Sequence, residues 1–277
     1  MVLPVHDVNP TRRRALVTPL LIALNVAVFV LGPIATMPLL GGSSASAQCR
    51  VASYLAHYAA EPAELTSGRP ARRVPGPVVG RDPATGRTGC VVQDPPPFHK
   101  SPFLSVLTAM FLHGGWLHLL GNMLFLFVFG NNVEDRLGRL RFLAFYLGCG
   151  YVATYGFALL QAGSTEPLVG ASGAIAGVLG AYLALFPRAK VWSLLTFFFF
   201  LPVRLPAWLV LGSWFVLQYL YFRGAGLASG GVAYGAHVVG FVVGFLLGRR
   251  LDRGEASPRP AGPARSRGAR RGPRTPG

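Results

Sequence analysis

Acidic residues are scarce in this 277-residue chain: Asp and Glu number 10, against 26 Lys and Arg. Charged residues make up only 13% of the sequence, about half the share of a soluble domain, while 52% is hydrophobic and the mean hydropathy is +0.45. No Asp or Glu falls inside a long apolar run; Glu134 and Asp135 lie just beyond one. That absence removes two kinds of membrane protease, because the aspartyl kind needs two carboxylates and the zinc kind a H-E-x-x-H helix. Proton-coupled transport through buried carboxylates loses its support for the same reason. There is no internal repeat, so a transporter built from inverted repeats is not indicated either. Lysine is nearly missing beside abundant Arg, Ala, Gly and Pro, the composition of a GC-rich bacterial genome. Cysteine is also sparse. Cys49 and Cys90 share one long loop and are a candidate disulfide, a zinc site with His57 or His99 lacks close ligand spacing, and Cys149 reads as a small packing residue.

What is present is apolar sequence in long runs. A transmembrane helix needs about 20 largely apolar residues, and six stretches meet or approach that length: 15–38, 117–132, 140–161, 171–187, 205–222 and 234–250. They predict an all-α fold, a polytopic transmembrane bundle of six spans. The expected organisation is a cytoplasmic N-terminus (1–14), a first helix (15–38), an external loop (41–102), a core with five further spans (103–251) and a disordered basic tail (252–277). The first run could be a cleaved signal, since Ala45-Ser46-Ala47 resembles a cleavage site; its length favours a retained helix. The apolar piece from Val191 to Val203, with Phe197–Phe200, is bounded by Pro187 and Pro202 and reads as interfacial or partly re-entrant.

The net charge of +16 is distributed like a topology signal. Arg12–Arg14, Arg136, Arg139 and Arg141, Arg188 and Lys190, and the tail from Arg249 flank alternate span ends, which the positive-inside rule makes cytoplasmic. The expected location is the cell membrane, multi-pass, with both termini cytoplasmic. Aromatic and basic residues are not interleaved as in a nucleic-acid groove, so the partner of this charge is the lipid bilayer. Oligomeric state is not legible.

Five polar residues within or beside spans stand out as candidates for chemistry: His113, His118, Asn122, Ser172 and His237. Each alone has an ordinary packing explanation. Span counting, however, puts His118, Asn122, Ser172 and His237 in the outer half of the bundle. His118 and Asn122 are i and i+4, on one face. His237, Gly240 and Gly244 form one stripe of the sixth span, and Gly173 and Gly177 a small-xxx-small pair on the fourth, so two helices can approach closely with a His and a Ser at their heads. Ser172 follows Gly170-Ala171 and opens a helix, where unpaired N–H groups and the positive end of the dipole suit an oxyanion.

These residues resemble the rhomboid family of intramembrane serine proteases, of the bacterial six-helix type. The matching text is Phe111-Leu-His113-Gly-Gly-Trp-Leu-His118-Leu-Leu-Gly-Asn122, Gly170-Ala-Ser172-Gly173 and Gly235-Ala-His237-Val-Val-Gly240-Phe-Val-Val-Gly244, with Glu134-Asp-Arg136 as an acidic-x-Arg element. The resemblance implies a Ser172–His237 dyad without a carboxylate. It also implies an oxyanion site of His118, Asn122 and the Ser172 N–H, and supporting roles for His113, Gly170, Gly173, Gly240 and Gly244. Glu134 and Arg136 take a structural hydrogen-bonding role. No cofactor or metal is implied, and the substrates implied are transmembrane proteins of a single span. The alternative is a catalytically silent relative that binds transmembrane helices. Two departures stand out: Ala176 occupies a place where some members carry an aromatic against the catalytic His, and Leu104-Ser105 stands where some carry Trp-Arg.

Overall fold

The computed structural model describes residues 2–38, 42–81, 88–195, 201–224 and 232–254. The expected basic tail from 255 onward and the Phe197–Phe200 run lie outside the described residues. Six longer helices occupy the places of the six expected spans: α1 (Val17–Leu31), α5 (Trp116–Leu137), α6 (Arg139–Leu160), α7 (Ser172–Leu185), α8 (Ala207–Gly224) and α9 (Tyr234–Gly254). Among the described residues, α5 and α6 are long and apolar enough to cross a membrane by length and composition; α1 and α7 are apolar but shorter. The first helix is shorter than expected because Gly32 and Pro33 break it into a 3-10 turn at Pro33–Thr36. The last runs to Gly254, so the segment expected to be tail from 252 begins as helix.

The strictly all-α expectation is corrected by two small sheets. The chain opens with β1 (Val2–Asp7), which pairs with β4 (Lys190–Leu195), which pairs with β5 (Leu201–Pro206), all antiparallel. The described parts of the segment expected to be interfacial or re-entrant, 191–195 and 201–203, are therefore paired strands. Pro lacks the N–H that a central strand needs, and here Pro4, Pro202 and Pro206 fall on the two edge strands while the central β4 has none. Residues 41–102, expected as a loop, contain α2 (Ala45–Tyr58), α3 (Pro62–Ser67) and the hairpin β2 (Val74–Arg81) with β3 (Thr88–Gln93). Cys49 and Cys90 are joined, tying α2 to β3, and Lys100 pairs with Glu64 at 2.6 Å with both side chains buried.

The bundle is organised around α7. Its residues Ala174–Tyr182 are all buried, the mark of a helix apolar all round and surrounded by others. The surrounding helices bury one face and expose another that is equally apolar, with Leu31, Leu117, Leu140, Leu159 and Trp208 all more than half exposed. Two apolar faces suit a helix between a protein core and lipid. The α7–α9 contact is made by backbone. A Cβ added at Gly240 or Gly244 would land on the carbonyl oxygen of Gly173 or Gly177, and one at Gly180 on that of Phe241.

Carboxylates hold the opposite end. Glu134, 2% exposed at the end of α5, accepts bonds from the N–H groups of Leu16, Val17 and Thr18 and from Thr18 Oγ1 at 2.7–2.9 Å. It thereby caps α1, whose own flanking residues supply no side-chain cap. Asp135 accepts from the N–H of Arg12 and Arg13. Asp7 of β1 accepts from Asn132 and from the Tyr182 hydroxyl, both at 2.6 Å, pinning the sheet to α5 and α7. The chain reverses between α5 and α6 on the single residue Gly138, at φ +79°, a conformation that favours glycine.

Two predictions follow from this packing. Gly244→Ala must push α9 away from α7 and is expected to cost about 1–3 kcal/mol, read as a lowered unfolding temperature in detergent. Gly212→Ala on α8, with open space at its Cβ, serves as the neutral control. In the 42–101 region, burial and then Glu64 push Glu61 up to about 7, with Lys100 opposing. The folded region therefore holds a proton that the unfolded chain has released. Its stability falls as pH rises from about 4.5 to about 7 and is constant below that window. Hydrogen exchange of the α3 amides against pH should show the decline, and Glu61→Gln should flatten it.

Candidate active site

Ser172 is the first residue of α7, and His237 lies in the first turn of α9, 8% exposed. Because the two helix backbones touch, these first turns stand side by side. His237 Nε2 and Ser172 Oγ are 2.8 Å apart, within reach of a proton transfer. The other ring nitrogen, Nδ1, lies 2.8 Å from Gln218 Oε1 on α8. Trp214 of α8 and Tyr234 of α9 flank the ring at 5.9 and 6.2 Å between centroids. Ala176 is fully buried and contributes no ring.

The turn before Ser172 is fixed from two sides. Gly170 N–H donates to the Ala109 carbonyl at the end of α4 (Pro102–Ala109), at 2.9 Å. Leu168 and Ala60 exchange backbone bonds at 2.7 and 3.3 Å, and Ala63 N–H reaches the Ser164 carbonyl at 3.0 Å. The 42–101 region thus grips the segment that delivers Ser172. Gly170 itself sits at φ +121°, where an L side chain is strained.

His118 lies in the first turn of α5. Its Nδ1 accepts from the Gly114 N–H at 3.3 Å, so in the neutral ring the hydrogen is on Nε2. That Nε2 and the serine hydroxyl border the same spot beside Gly170. The position of a Cβ on Gly170 would be 2.9 Å from His118 Nε2 and 3.5 Å from Ser172 Oγ. A point close to both a nucleophile and a donor is what acyl transfer needs. Asn122, 7% exposed, bonds the His118 carbonyl through Nδ2 at 2.9 Å and keeps a second N–H. His113 is fully buried and packs edge-on against His118 at 5.2 Å. The structure therefore gathers Ser172, His237, His118 and Gly170 at one place, with Gly173, Gly240 and Gly244 along the helix contact beneath them, while Asn122 lies one turn along α5 from His118. Glu134 and Arg136, in the last turn of α5, stand at the far end.

A cavity of about 30 Å³ lies beside Ser172, lined by Ala109, Met110, Gly150, Gly170 and Ala236 among others. Among the described residues, no group of His, Cys, Asp and Glu side chains could hold a metal ion. His57, the zinc candidate, is stacked between Tyr58 and Phe98, and the two loop thiols are bonded to each other.

Sequence reasoning missed Gln218 and Trp214. Both lie within the fifth expected span, 205–222, where an amide among apolar residues is itself a signal. It also missed Asp7, because a short strand ahead of the first helix leaves no periodic trace.

Residues 100–253 match the family model described as the Rhomboid domain. The chain is 43% identical over 82 residues to "Putative rhomboid protease YdcA" of Bacillus subtilis, covering 28% of this chain and 39% of that one. It is 32% identical over 157 residues to "Rhomboid protein 1, mitochondrial" of Saccharomyces cerevisiae, 54% of this chain and 42% of that one. It is 32% identical over 149 residues to "RHOMBOID-like protein 6, mitochondrial" of Arabidopsis thaliana, 52% and 42%. The chain spans about two fifths of the length of these curated relatives.

The geometry at Gly170 yields a prediction. Gly170→Ala must displace the His118 ring and is expected to slow modification of Ser172 by a fluorophosphonate about 10²-fold, the usual loss for one oxyanion donor. Mass spectrometry of the labelled serine reads the rate, and labelling at the native rate would refute the placement of His118.

Proposed function

Since the chain belongs to the rhomboid family, whose members are membrane-embedded and generally serine proteases, we propose that it is an intramembrane serine endopeptidase acting through Ser172 and His237. The observation that carries this reading is the 2.8 Å contact between Ser172 Oγ and His237 Nε2 at the head of two touching helices. As Oγ attacks the scissile carbonyl carbon, His237 Nε2 takes its proton. The carbonyl oxygen becomes an oxyanion facing the Ser172 N–H, His118 Nε2–H and Asn122 Nδ2–H. Collapse breaks the C–N bond, and His237 returns the proton to the departing amine. Water, activated by the same ring, then hydrolyses the acyl-enzyme and frees the serine.

The substrates in this reading are single-span membrane proteins, cut where their helix unwinds near the outer face. All six long helices cross the cell membrane, with both termini cytoplasmic. The support is the charge distribution: Arg12–Arg14, Arg136, Arg139, Arg141 and Arg188 lie at the ends remote from Ser172. The 30 Å³ cavity beside Ser172 has room for a small side chain or a water, which favours Ala, Gly or Ser before the cut bond.

Purified protein in detergent or vesicles, given a panel of model single-span substrates, tests the reading. Ser172→Ala is expected to abolish cleavage, and His237→Ala to lower it by about 10³-fold or more. Leu or Phe before the cut bond should cost at least about tenfold relative to Ala. A wild-type protein that binds these helices without cutting them, and whose Ser172 resists a fluorophosphonate, would be the silent relative instead.

A further inference from the structure

With alanine at position 176, α7 offers His237 no ring, and α8 supplies its contacts. Trp214, Gln218 and Tyr221 fall at i, i+4 and i+7, one stripe of that helix. Trp214 lies against the imidazole at 31° between planes. Tyr221 stacks on Tyr234 at 5.2 Å, and Tyr234 meets the imidazole edge-on. Between them the Gln218 carboxamide oxygen reaches Nδ1 at 2.8 Å. The ring is thus held along its Nδ1 edge while its Nε2 edge faces Ser172.

We propose that Gln218 is a positioning residue for the Ser172–His237 pair, its carboxamide oxygen fixing the imidazole in the tautomer with hydrogen on Nδ1. The proposal rests on the protease reading above. A neutral imidazole has one N–H and one bare nitrogen. An amide oxygen only accepts, so Oε1 opposite Nδ1 requires the hydrogen there and leaves Nε2 bare to take the serine proton. The opposite amide orientation would donate to Nδ1, move the hydrogen to Nε2 and make His237 a donor to Ser172, an inert arrangement. When the ring takes up the proton, Nδ1–H keeps its bond and the negative end of the amide dipole faces the new charge. A carboxylate there would attract that charge more strongly, but an unpaired carboxylate within a membrane protein is costly. The amide orients the ring without net charge, as the third member of Cys-His-Asn sites does.

The test uses the full chain, with substrate cleavage and fluorophosphonate labelling followed across pH for wild type, Gln218→Met and Gln218→Glu. Gln218→Met keeps length and loses the acceptor. It is expected to lower kcat about 10–10²-fold, the usual effect of removing a group that orients a reacting one, with KM and unfolding temperature little changed. Gln218→Glu restores the acceptor and should recover most of kcat at neutral pH. Its charge favours the protonated ring, so the acid limb of the kcat/KM profile moves to higher pH. A native kcat in Gln218→Met overturns the proposal. So does an equal loss in both variants with an unmoved acid limb, which would make Gln218 a packing residue only. Should Gln218→Met fail to fold, the acid limb of Gln218→Glu decides by itself. A wild type that neither cleaves nor labels would sink the protease reading and this inference together, whereas a fully active Gln218→Met sinks this inference alone.

Discussion

Two helix backbones, α7 and α9, run against each other with nothing larger than a hydrogen between them, and the site is a consequence of that contact. Gly240 meets the Gly173 carbonyl and Gly244 meets Gly177, so the register of one helix on the other is set at two levels one turn apart. Ser172 is adjacent to Gly173, and His237 lies three residues before Gly240. The same register therefore places hydroxyl and imidazole opposite each other. Between apolar helices in lipid there is no hydrophobic drive to associate, so dispersion at close range must hold them together. A methyl group at this contact would separate the backbones by enough to lose a 2.8 Å hydrogen bond, and a displacement of about 1 Å in a site of this kind can cost about 10² in rate.

The remaining structure keeps that contact from being an isolated one. At the site's end, Ala60, Ala63 and α4 hold the segment 161–171 by backbone bonds, and that segment carries Gly170, whose lack of a Cβ leaves room for the His118 ring. The 42–101 region is itself braced by a disulfide and a buried ion pair, and its Ala60 and Leu65 share a small core with Ala158 of α6. At the far end, Glu134 caps α1 and Asp7 draws Asn132 and Tyr182 together. Since Tyr182 is on α7, the strand at the start of the chain is connected through one buried carboxylate to the helix that begins with Ser172.

Much of this was legible in the sequence, for a physical reason in each case. The six long helices announce themselves as apolar runs, and α6 and α9 begin within a residue of where those runs predict. The meeting of Ser172 with His237 could be anticipated from glycine spacing because glycine on a helix face has few purposes other than close approach. The two sheets were not legible: strands of six to eight residues with several prolines carry no alternation strong enough to stand against a helical or loop reading. Gln218 was not legible because it stands alone: Asn122 shares a helix face with His118, whereas no His or amide lies three or four residues from Gln218. An amide on another helix can nevertheless decide which nitrogen of a neighbouring imidazole bears the hydrogen.

The shortage of acidic residues takes on a more definite meaning in this light. The buried carboxylates that the structure describes each have donors of their own to satisfy: Glu134 the first N–H groups of α1, Asp7 the side chains of Asn132 and Tyr182, Glu64 the ammonium of Lys100. None of them hydrogen-bonds Ser172 or His237, whose side-chain partners among the described residues are each other, Gln218 and aromatic rings. A resting carboxylate beside His237 would have to be desolvated and would attract a proton to the ring before any substrate arrived. Neutral donors and acceptors avoid both difficulties. In the proposed mechanism they leave the imidazole uncharged until the serine gives up its proton, and the charge separation they then support lasts only as long as the tetrahedral intermediate. A bundle that excludes carboxylates from its centre can still perform acid–base chemistry, provided that its amides and imidazoles are aimed as firmly as Gly170, Gly240 and Gly244 allow.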